Sequence, residues 1–485
     1  MSVLQAFNVS HQFDNGETLF QSISCSMTKR RVGLVGRNGI GKSLFASILA
    51  GETQPASGVV TSPSSFMMYR QQPSDLLSGQ QSIAQFLGTD SVLHALKQIE
   101  QGDVSEHWFE LVGEQWDIEQ KLKQQLAAMG LPQDPDFSCA RLSGGQLARL
   151  QLWQLFENET ELLILDEPSN HLDTEAKQWL IESMTHFGGA ILLISHDREL
   201  LRAMEEIWEL SGLGLQVFGG NYDVYAEQKR TELQAVERQL AQVDKQKKRL
   251  AEQAQKNRNK NEQLRQVHLQ AKERALQSRH EQLKAQKLYL ADNPNRSRKV
   301  LSIQEGILPF GDSTPITLQI FANDKVHLKG KNGCGKSTLL KTLLGELSFL
   351  RGELQVNTPL YYLDQHFGAV NPNLSLLENV METCQEMTES EARTLLAGIG
   401  FRRDTVFRLG CVLSGGEKMK LAMLIVSHQH SQPLLLLDEP DNHLDLESKI
   451  MLSQALNTYK GGFVLISHDQ DFASESGVLR QIELT

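Results

Sequence analysis

Four short motifs occur twice in this chain, in the same order, and this repeat constrains the fold more than any other feature. In chain order the pairs are GLVGRNGIGKS at 33–43 and HLKGKNGCGKS at 327–337, RLSGGQLARLQL at 141–152 and VLSGGEKMKLAM at 412–423, LLILDEPSNHLD at 162–173 and LLLLDEPDNHLD at 434–445, and ILLISHD at 191–197 and FVLISHD at 463–469. Ordered self-similarity of this kind marks a duplicated structural unit. The chain is therefore predicted to contain two copies of one domain.

The length and composition of the chain fit this duplication and narrow its cellular setting. Its 485 residues are enough for two to four domains of about 100–200 residues each. The net charge of −11 argues against a protein that coats nucleic acid over its whole surface. The five scattered cysteines form no CxxC pair, which argues against a zinc or iron–sulfur module. With no signal-peptide pattern and no apolar run near ~20 residues, we expect a cytoplasmic protein without a membrane segment.

The first motif of each half, GxxxxGK[ST], predicts a phosphate-binding loop between a strand and a helix. Its glycines let backbone N–H groups surround phosphate oxygens, its lysine reaches the terminal phosphates, and its hydroxyl holds Mg²⁺. The predicted ATP-binding residues are Gly36, Asn38, Gly39, Gly41, Lys42 and Ser43 in the first half and Gly330, Asn332, Gly333, Gly335, Lys336, Ser337 and Thr338 in the second. ATP and Mg²⁺ are the ligands this pattern implies.

In each half, four apolar residues run into an Asp-Glu pair, which predicts a buried strand with acids at its carboxyl end. Asp166 and Asp438 are predicted to bind Mg²⁺, together with Ser43 and Ser337. Glu167 and Glu439 follow directly and are predicted to polarise the attacking water.

Each Ser-His-Asp triplet follows an apolar strand, but adjacent strand residues point to opposite faces and cannot form a hydrolase triad. We therefore predict that His196 and His468 sense the γ-phosphate.

Between the two copies lies a segment of different character, rich in Gln, Lys, Arg and Glu. Leu269, Leu276, Leu283 and Leu290 repeat every seven residues, which is coiled-coil spacing. We predict a helical hairpin with two arms of about 30 residues, each about 45 Å long. Residues 223–298 carry about 18 basic and about 10 acidic side chains, and Lys256, Arg258 and Lys260 at the tip are all basic. These three are predicted to contact RNA, although a coiled coil whose charges only keep it soluble stays open.

Taken together, these motifs resemble the ATP-binding cassette superfamily. LSGGQ at 142–146 and LSGGE at 413–417 are similar to its signature motif. The resemblance implies an α/β protein with two P-loop NTPase domains, joined here by the α-helical hairpin linker. We assign the first cassette to 1–222, with a short arm insertion within 73–140, the basic hairpin linker to 223–295 and the second cassette to 296–485.

In that superfamily two cassettes close head to tail, and the signature of one contacts the nucleotide held by the other. The resemblance implies that Ser143, Gly144 and Gly145 complete the second ATP site, and that Ser414, Gly415 and Gly416 complete the first. It also implies catalytic Q-loop glutamines at Gln71, with Gln72 as an alternative, and at Gln365, and an adenine-stacking role for Phe13. The cassettes would pair within one chain, so we expect a monomeric ATP hydrolase.

Within the superfamily the chain is most similar to the ABC-F group, whose members are twin cassettes with a charged helical linker that act on the ribosome in translation. EPSNHLD and EPDNHLD are close to the group's EPTNHLD, and FGGNYDVY at 218–225 resembles its run into the linker. The resemblance implies the ribosome as partner, with the linker directed toward tRNA or rRNA.

The chain departs from the family pattern in two places. Asp441 replaces a small hydroxyl residue, which predicts unequal hydrolysis at the two sites. The interval from Q-loop to signature is about 23 residues longer in the first half. Some ABC-F members place an arm for ribosome contact there. For Trp108 and Trp116, which lie in this segment, we expect core packing rather than a contact role.

Two other functions remain open from the sequence. An importer's ATPase subunit can also be a fused twin cassette, but it has no need of a long basic hairpin, and it would co-purify with a membrane subunit. A DNA-repair or chromosome ATPase of the same superfamily usually inserts a zinc module or a far longer coiled coil, and it would bind DNA rather than ribosomes.

Overall fold

The structure is a computed structural model, and it describes residues 3–13, 16, 18–70, 81–170, 172–256, 298–311, 313–363, 370–384, 387–428, 433–442 and 444–484. Its contacts divide the chain into two units, Met1–Val217 and Phe218–Thr485. None of the helices in these described ranges has the combination of length and apolarity that crossing a bilayer demands.

A parallel sheet of buried strands forms the centre of the first unit. Six strands lie in the spatial order Phe66–Tyr69, Leu162–Asp166, Ala190–Ile194, Arg31–Gly36, Glu206–Ser211 and Gly214–Gly219. The pairs formed by the first five are parallel. Their middle strands are almost wholly apolar and have no solvent-exposed face, as expected for a parallel sheet covered on both sides. The carboxyl ends of these strands therefore meet at one edge, where loops can build a site.

A second, antiparallel sheet and a set of helices cover the central sheet. The antiparallel strands are Leu4–Gln12, Thr18–Met27 and Ser57–Thr61, with Leu4–Gln12 in the middle. In the described residues of this unit the helices are Lys42–Leu49, Ile83–Phe86, Asp90–Glu100, Glu106–Val112, Ile118–Ala128, Gly144–Glu157, Thr174–His186 and Arg198–Arg202. One core joins both sheets to the helix Lys42–Leu49, and a separate core lies among the helices of residues 83–150.

The second unit repeats this architecture. Its parallel strands lie in the order Leu360–Leu363, Leu434–Asp438, Phe463–Ile466, Lys325–Lys329 and Arg480–Glu483, and its antiparallel strands are Ile316–Phe321, Lys299–Ile307 and Arg351–Val356. Its cassette helices are Lys336–Leu343, Leu376–Thr383, Glu389–Gly398, Gly415–Ser427, Leu446–Thr458 and Gln470–Glu475. The predicted α/β class with two P-loop domains is confirmed.

The extra residues of the first half form two additional helices, Asp90–Glu100 and Glu106–Val112, which we call the arm. They pack on each other through Ala95, Leu96 and Val112. Trp108 lies partly buried against this small core, and its Nε1 donates to Asp103 Oδ2 at 2.8 Å. Trp116 is 53% exposed and packs against exposed Phe109, with ring centroids 5.9 Å apart and the ring planes tilted by 52°. The expectation of core packing is therefore wrong for Trp116, because the short arm buries too little surface to cover it.

A single helix of 35 residues, Tyr222–Lys256, leads out of the first half into the linker. Asn221 begins it by accepting the N–H of Asp223 at 3.2 Å through Oδ1. This length corresponds to about 50 Å at 1.5 Å per residue. The second arm of the predicted hairpin, with Arg258 and Lys260 of the tip, lies outside the described residues. For Lys256 only its place as the last residue of this helix is described.

Candidate nucleotide-binding sites

The two P-loops turn into their helices through a glycine that no other residue could replace without strain. Gly41 and Gly335 precede the helices and have φ of 97° and 103°, in the left-handed region that favours glycine. A Cβ on Gly41 would lie 2.5 Å from Leu19 Cδ2. The turn leaves the first N–H groups of each helix without partners in the helix, which is a ready anion site.

The P-loop lysines are held inside their own loops. Lys42 Nζ donates to the carbonyl oxygens of Gly36 at 2.8 Å and Arg37 at 3.2 Å. Lys336 Nζ donates to Gly330 at 2.6 Å and Lys331 at 2.9 Å. Each lysine is only 8% exposed. The ammonium groups therefore lie within the loop that would surround a phosphate.

The structure brings Ser43 and Asp166 together, as the Mg²⁺ prediction requires. Asp166 ends its strand, and its carboxylate accepts a hydrogen bond from the Ser43 hydroxyl. Burial raises the pKa of Asp166 above its ordinary value, while the Ser43 hydrogen bond and the charges of Lys42 and Arg70 act against this rise. A hydroxyl beside a desolvated carboxylate supplies the hard oxygen ligands that Mg²⁺ prefers, so these residues fit that ion.

The equivalent aspartate of the second half has a different neighbour. The Tyr362 hydroxyl donates to Asp438 Oδ2 at 3.2 Å. Tyr362 lies on the strand Leu360–Leu363, which pairs with the Asp438 strand, and Met68 holds the matching place in the first half. The two predicted metal sites are therefore chemically different.

Both predicted catalytic glutamates have a strained backbone. Glu167 and Glu439 have φ of 48° and 49°, which is uncommon for residues with a side chain. Their N–H groups donate to carbonyl oxygens of the neighbouring strand, Ile194 at 2.8 Å and Ile466 at 2.9 Å, and these bonds help to hold the turn. Such strain, present in both copies, is typical of functional sites.

The two predicted histidines face these glutamates. His196 Nε2 lies 3.6 Å from Glu167 Oε1, and His468 Nε2 lies 3.5 Å from Glu439 Oε1. The histidine strands Ala190–Ile194 and Phe463–Ile466 lie between the P-loop strand and the aspartate strand of their sheets. Each histidine therefore lies at the edge of the sheet, between the P-loop and the glutamate.

The rest of each Ser-His-Asp triplet holds the histidine loop. The triplet lies in the loop beyond the strand, where the Ser195 and Ser467 hydroxyls accept the N–H of Asp197 and Asp469 at 3.0 Å. The aspartates cap the next helix. The serine and aspartate thus hold the loop while the histidine faces the glutamate, an arrangement that differs from a Ser–His–Asp relay.

Both LSGG motifs begin a helix. The contact with a nucleotide phosphate that the family resemblance implies requires such a helix start. Ser143 and Ser414 cap the helices Gly144–Glu157 and Gly415–Ser427 by accepting the N–H of the residue three positions on. We call these the signature helices. Arg149 on the first one contacts Asp173 Oδ1 through Nη2 at 2.5 Å. Asp173 in turn caps the helix Thr174–His186.

Three comparisons with known proteins agree with this geometry. The family model described as ABC transporter matches residues 21–170 and 313–442. The chain is 32% identical over 480 residues to the ATP-binding protein Uup of Escherichia coli, covering 92% of this chain and 74% of that one. It is 29% identical over 511 residues to ABC transporter F family member 2 of Arabidopsis thaliana, covering 96% and 74%. The chain belongs to the ABC-F family.

A solved structure shares the fold of this ABC-F chain. The crystal structure of the complex of archaeal ribosomal stalk protein aP1 and archaeal ribosome recycling factor aABCE1 contains a chain that superimposes with a TM-score of 0.60 at 18% identity. The match covers 98% of this chain and 87% of that one. The two matches of the family model and the likeness to Uup identify this ABC-F chain as a tandem-cassette ATP-binding protein.

The two signature helices of the ABC-F chain differ in charge. Gln146 closes the cap of the first one, and Glu417 closes that of the second. Burial by itself would raise the pKa of Glu417, but hydrogen bonds from the Ser414 N–H and the Arg408 guanidinium lower it below its ordinary value. The second signature therefore carries an ionised, paired carboxylate where the first has a neutral amide.

The predicted Q-loop glutamines fall outside the described part of this ABC-F chain. Gln71, Gln72 and Gln365 lie outside the described residues.

Phe310 is 67% exposed, and its carbonyl oxygen lies 3.1 Å from where a Cβ on Gly335 would be. Phe310 precedes the second P-loop much as Phe13 precedes the first. That similarity in the sequence could have identified Phe310 as a candidate site residue.

Proposed function

We propose that this ABC-F chain hydrolyses ATP at two composite sites and acts on the ribosome to regulate translation. The observation that supports ATP hydrolysis is the pair formed in each half by a strained glutamate and a histidine whose side chain is 15% exposed or less. The proposal keeps the division into cassettes 1–222 and 296–485 with the linker 223–295, and it places the protein in the cytoplasm as a monomer.

At each site the chain's own residues would divide the work. The P-loop amides and lysine would bind the phosphates, and Glu167 or Glu439 would orient the attacking water and take its proton. His196 or His468, beside that carboxylate, would sense the γ-phosphate. Mg²⁺, held by Ser43 and Asp166 or by Ser337 and Asp438, would neutralise phosphate charge.

We propose that each site is completed by the other cassette. Ser414 and Gly416 would contact the γ-phosphate held at Lys42, and Ser143 and Gly145 the one held at Lys336. The helix start behind each LSGG motif supports this, because its N–H groups suit an anion. Closure on ATP would then be coupled to the position of the linker.

Two surfaces of opposite charge support a ribosomal partner. The linker has a basic excess suited to RNA phosphates. The arm and the residues after it are acidic: residues 90–119 contain eight acidic side chains and one lysine, with Phe109 and Trp116 exposed. An acidic surface repels RNA, so we propose that the arm meets a basic protein surface of the ribosome. The fold neighbour is itself named a ribosome recycling factor.

The test is sedimentation of a chain in which Glu167 and Glu439 are both replaced by Gln. With ATP this variant should stay closed and co-sediment with ribosomes through a sucrose gradient, whereas with ADP it should remain at the top. Replacing Lys42 and Lys336 by Ala in the same background should abolish the ATP dependence. Sedimentation at the top of the gradient in ATP, from a variant that binds ATP normally, would overturn the ribosomal role.

A further inference from the structure

A buried ion pair occurs at the same place in both cassettes and has no role in the function proposed so far. Lys177 Nζ lies 2.7 Å from Asp197 Oδ2, and Lys449 Nζ lies 3.1 Å from Asp469 Oδ2. All four side chains are 9% exposed or less. The lysines lie one turn into the helices Thr174–His186 and Leu446–Thr458, which follow the NHLD motif.

The aspartate of each pair is the residue directly after the predicted γ-phosphate histidine, and its two oxygens have separate tasks. Oδ1 of Asp197 accepts the N–H of Glu199 at 3.0 Å, and Oδ1 of Asp469 accepts the N–H of Phe472 at 2.9 Å, so each begins the next helix. Oδ2 of each faces the lysine. One carboxylate therefore fixes the histidine loop to the helix after it and to the helix after NHLD.

An ion pair at this depth needs a reason beyond stability. Removing two charges from water costs free energy that their attraction often only balances, and apolar side chains of similar size are frequently as stable. The two halves have diverged elsewhere at buried positions, since Gly33 of the first corresponds to His327 of the second. Both nevertheless have the lysine and the aspartate, in the same geometry.

We propose that Lys177 and Lys449 are positioning residues that, through Asp197 and Asp469, hold His196 and His468 at their distance from Glu167 and Glu439. Each ion pair connects the histidine loop to the helix after NHLD. The distance between the histidine and the glutamate would therefore stay constant when that helix moves. The inference rests on the proposed hydrolytic function. A positioning role differs from a purely structural one because the effect of the lysine on hydrolysis must depend on the histidine.

The first test is a double-mutant cycle on turnover. Replacing both lysines by Met should lower kcat for ATP hydrolysis about 10- to 100-fold, the range that a displacement of about 1 Å can produce. The Kd for ATP should change less than about twofold. Replacing both by Arg, which keeps the charge, should restore kcat to within about threefold.

The decisive step is to repeat the Lys-to-Met change in a background where His196 and His468 are both Gln. If the lysines act through the histidines, the change should now have less than about a twofold effect. An equal fold-loss in both backgrounds, or a loss confined to KM, would overturn the proposal and leave the pairs as structural. If the Lys-to-Met variant does not fold, the same test uses a variant that also carries Asp197→Asn and Asp469→Asn. This variant removes both charges of each ion pair and keeps the side-chain oxygen that caps the following helix.

A second measurement does not depend on activity. Crystal structures of the wild-type chain and of the Lys-to-Met variant should show the histidine displaced from its glutamate in the variant. An unchanged separation would contradict the proposal. A wild-type chain that binds ATP and does not hydrolyse it would remove the proposed function, and the crystallographic comparison would then decide the positioning claim by itself.

Discussion

His196 Nε2 and Glu167 Oε1 lie 3.6 Å apart, and the same two atoms of His468 and Glu439 lie 3.5 Å apart. The pairing arises because the histidine strand lies next to the aspartate strand in each sheet and ends at the same edge. Each glutamate turns toward that edge through a strained backbone. This arrangement makes the glutamates the first residues to test.

Replacing Glu167 and Glu439 together by Gln should abolish hydrolysis and preserve ATP binding, because the amide keeps the shape and loses the base. We expect phosphate release to fall at least about 100-fold. A fluorescent ATP analogue should bind with unchanged affinity. The exposed Glu182→Gln on the first cassette is the matched control and should leave turnover as in the wild type. Normal phosphate release from the double variant would remove both glutamates from catalysis.

Replacing Lys256, Arg258 and Lys260 by Ala should weaken ribosome binding and spare the free ATPase activity, because each lost phosphate contact reduces counterion release. The readout is ribosome co-sedimentation over a series of salt concentrations, in which the variant should show a shallower salt dependence. Replacing Lys245, Lys247 and Arg249 by Ala removes the same charge from the helix Tyr222–Lys256, before the predicted tip. Equal losses in the two variants would assign the effect to total charge and not to the tip.

His327 should make the second cassette sensitive to acid. It is 1% exposed, and its Nε2 donates to the Ser467 carbonyl at 3.0 Å. Burial lowers its pKa below the ordinary value of 6.5, the hydrogen bond to Ser467 opposes this, and Lys329 lowers it further. The unfolded chain therefore takes up a proton below about pH 6.5 before the folded chain does, and stability is lost as pH falls through that range. One such proton contributes about 1.4 kcal/mol per pH unit at most.

The measurement is urea unfolding of the full chain between pH 5 and pH 8. His327→Gln should flatten the acid side of the stability profile, since it cannot bind that proton. His186→Gln, at an exposed position, should leave the slope as it is in the wild type. A profile for His327→Gln that runs parallel to the wild type would show that His327 titrates alike in both states.

Two cysteines can report on nucleotide binding and on closure separately. Cys334 lies within the second P-loop, and exposed Cys411 lies just before the second signature. Cys139 and Cys384 are buried, and burial raises the pKa of Cys25 to about 12, so these should react slowly with a maleimide. Mg-ATP should protect Cys334 in any variant that binds nucleotide.

Protection of Cys411 should require closure. In the Glu-to-Gln double variant, ATP should slow its labelling by about tenfold or more, because the second signature would cover the nucleotide at Lys42. ADP should not. Cys334→Ser and Cys411→Ser identify each label by mass spectrometry. Full reactivity of Cys411 while Cys334 is protected would argue against the composite site.

Local chemistry allowed much of the fold to be predicted. Four apolar residues ending in Asp predict a buried strand, and the strand Leu162–Asp166 is found. Ser143 before two glycines and a Gln predicts a helix start, and the capping box is present. These features depend on a few consecutive residues, so the sequence alone is sufficient.

Features that depend on distant partners could not be predicted. The burial of Lys177 cannot be read from its sequence neighbours because its partner, Asp197, lies 20 residues further along the chain, although lysine stands at the same place in LDTEAK and LDLESK. Trp116 was expected in a core, but its exposure depends on how much surface the arm can bury. The approach of the Phe310 backbone to Gly335 depends on how the loop before the second P-loop folds, which strand patterns do not show.

The hydroxyl of Tyr362 on Asp438 has a consequence for the order of events. A cation held by Asp438 would have to share that carboxylate oxygen with the phenol, whereas in the first half the strand position that matches Tyr362 is Met68, which has no hydroxyl. If both halves hydrolyse ATP as we propose, the two sites begin from different chemistry before any partner is involved. We then expect that blocking one half will halt the cycle at a different stage from blocking the other.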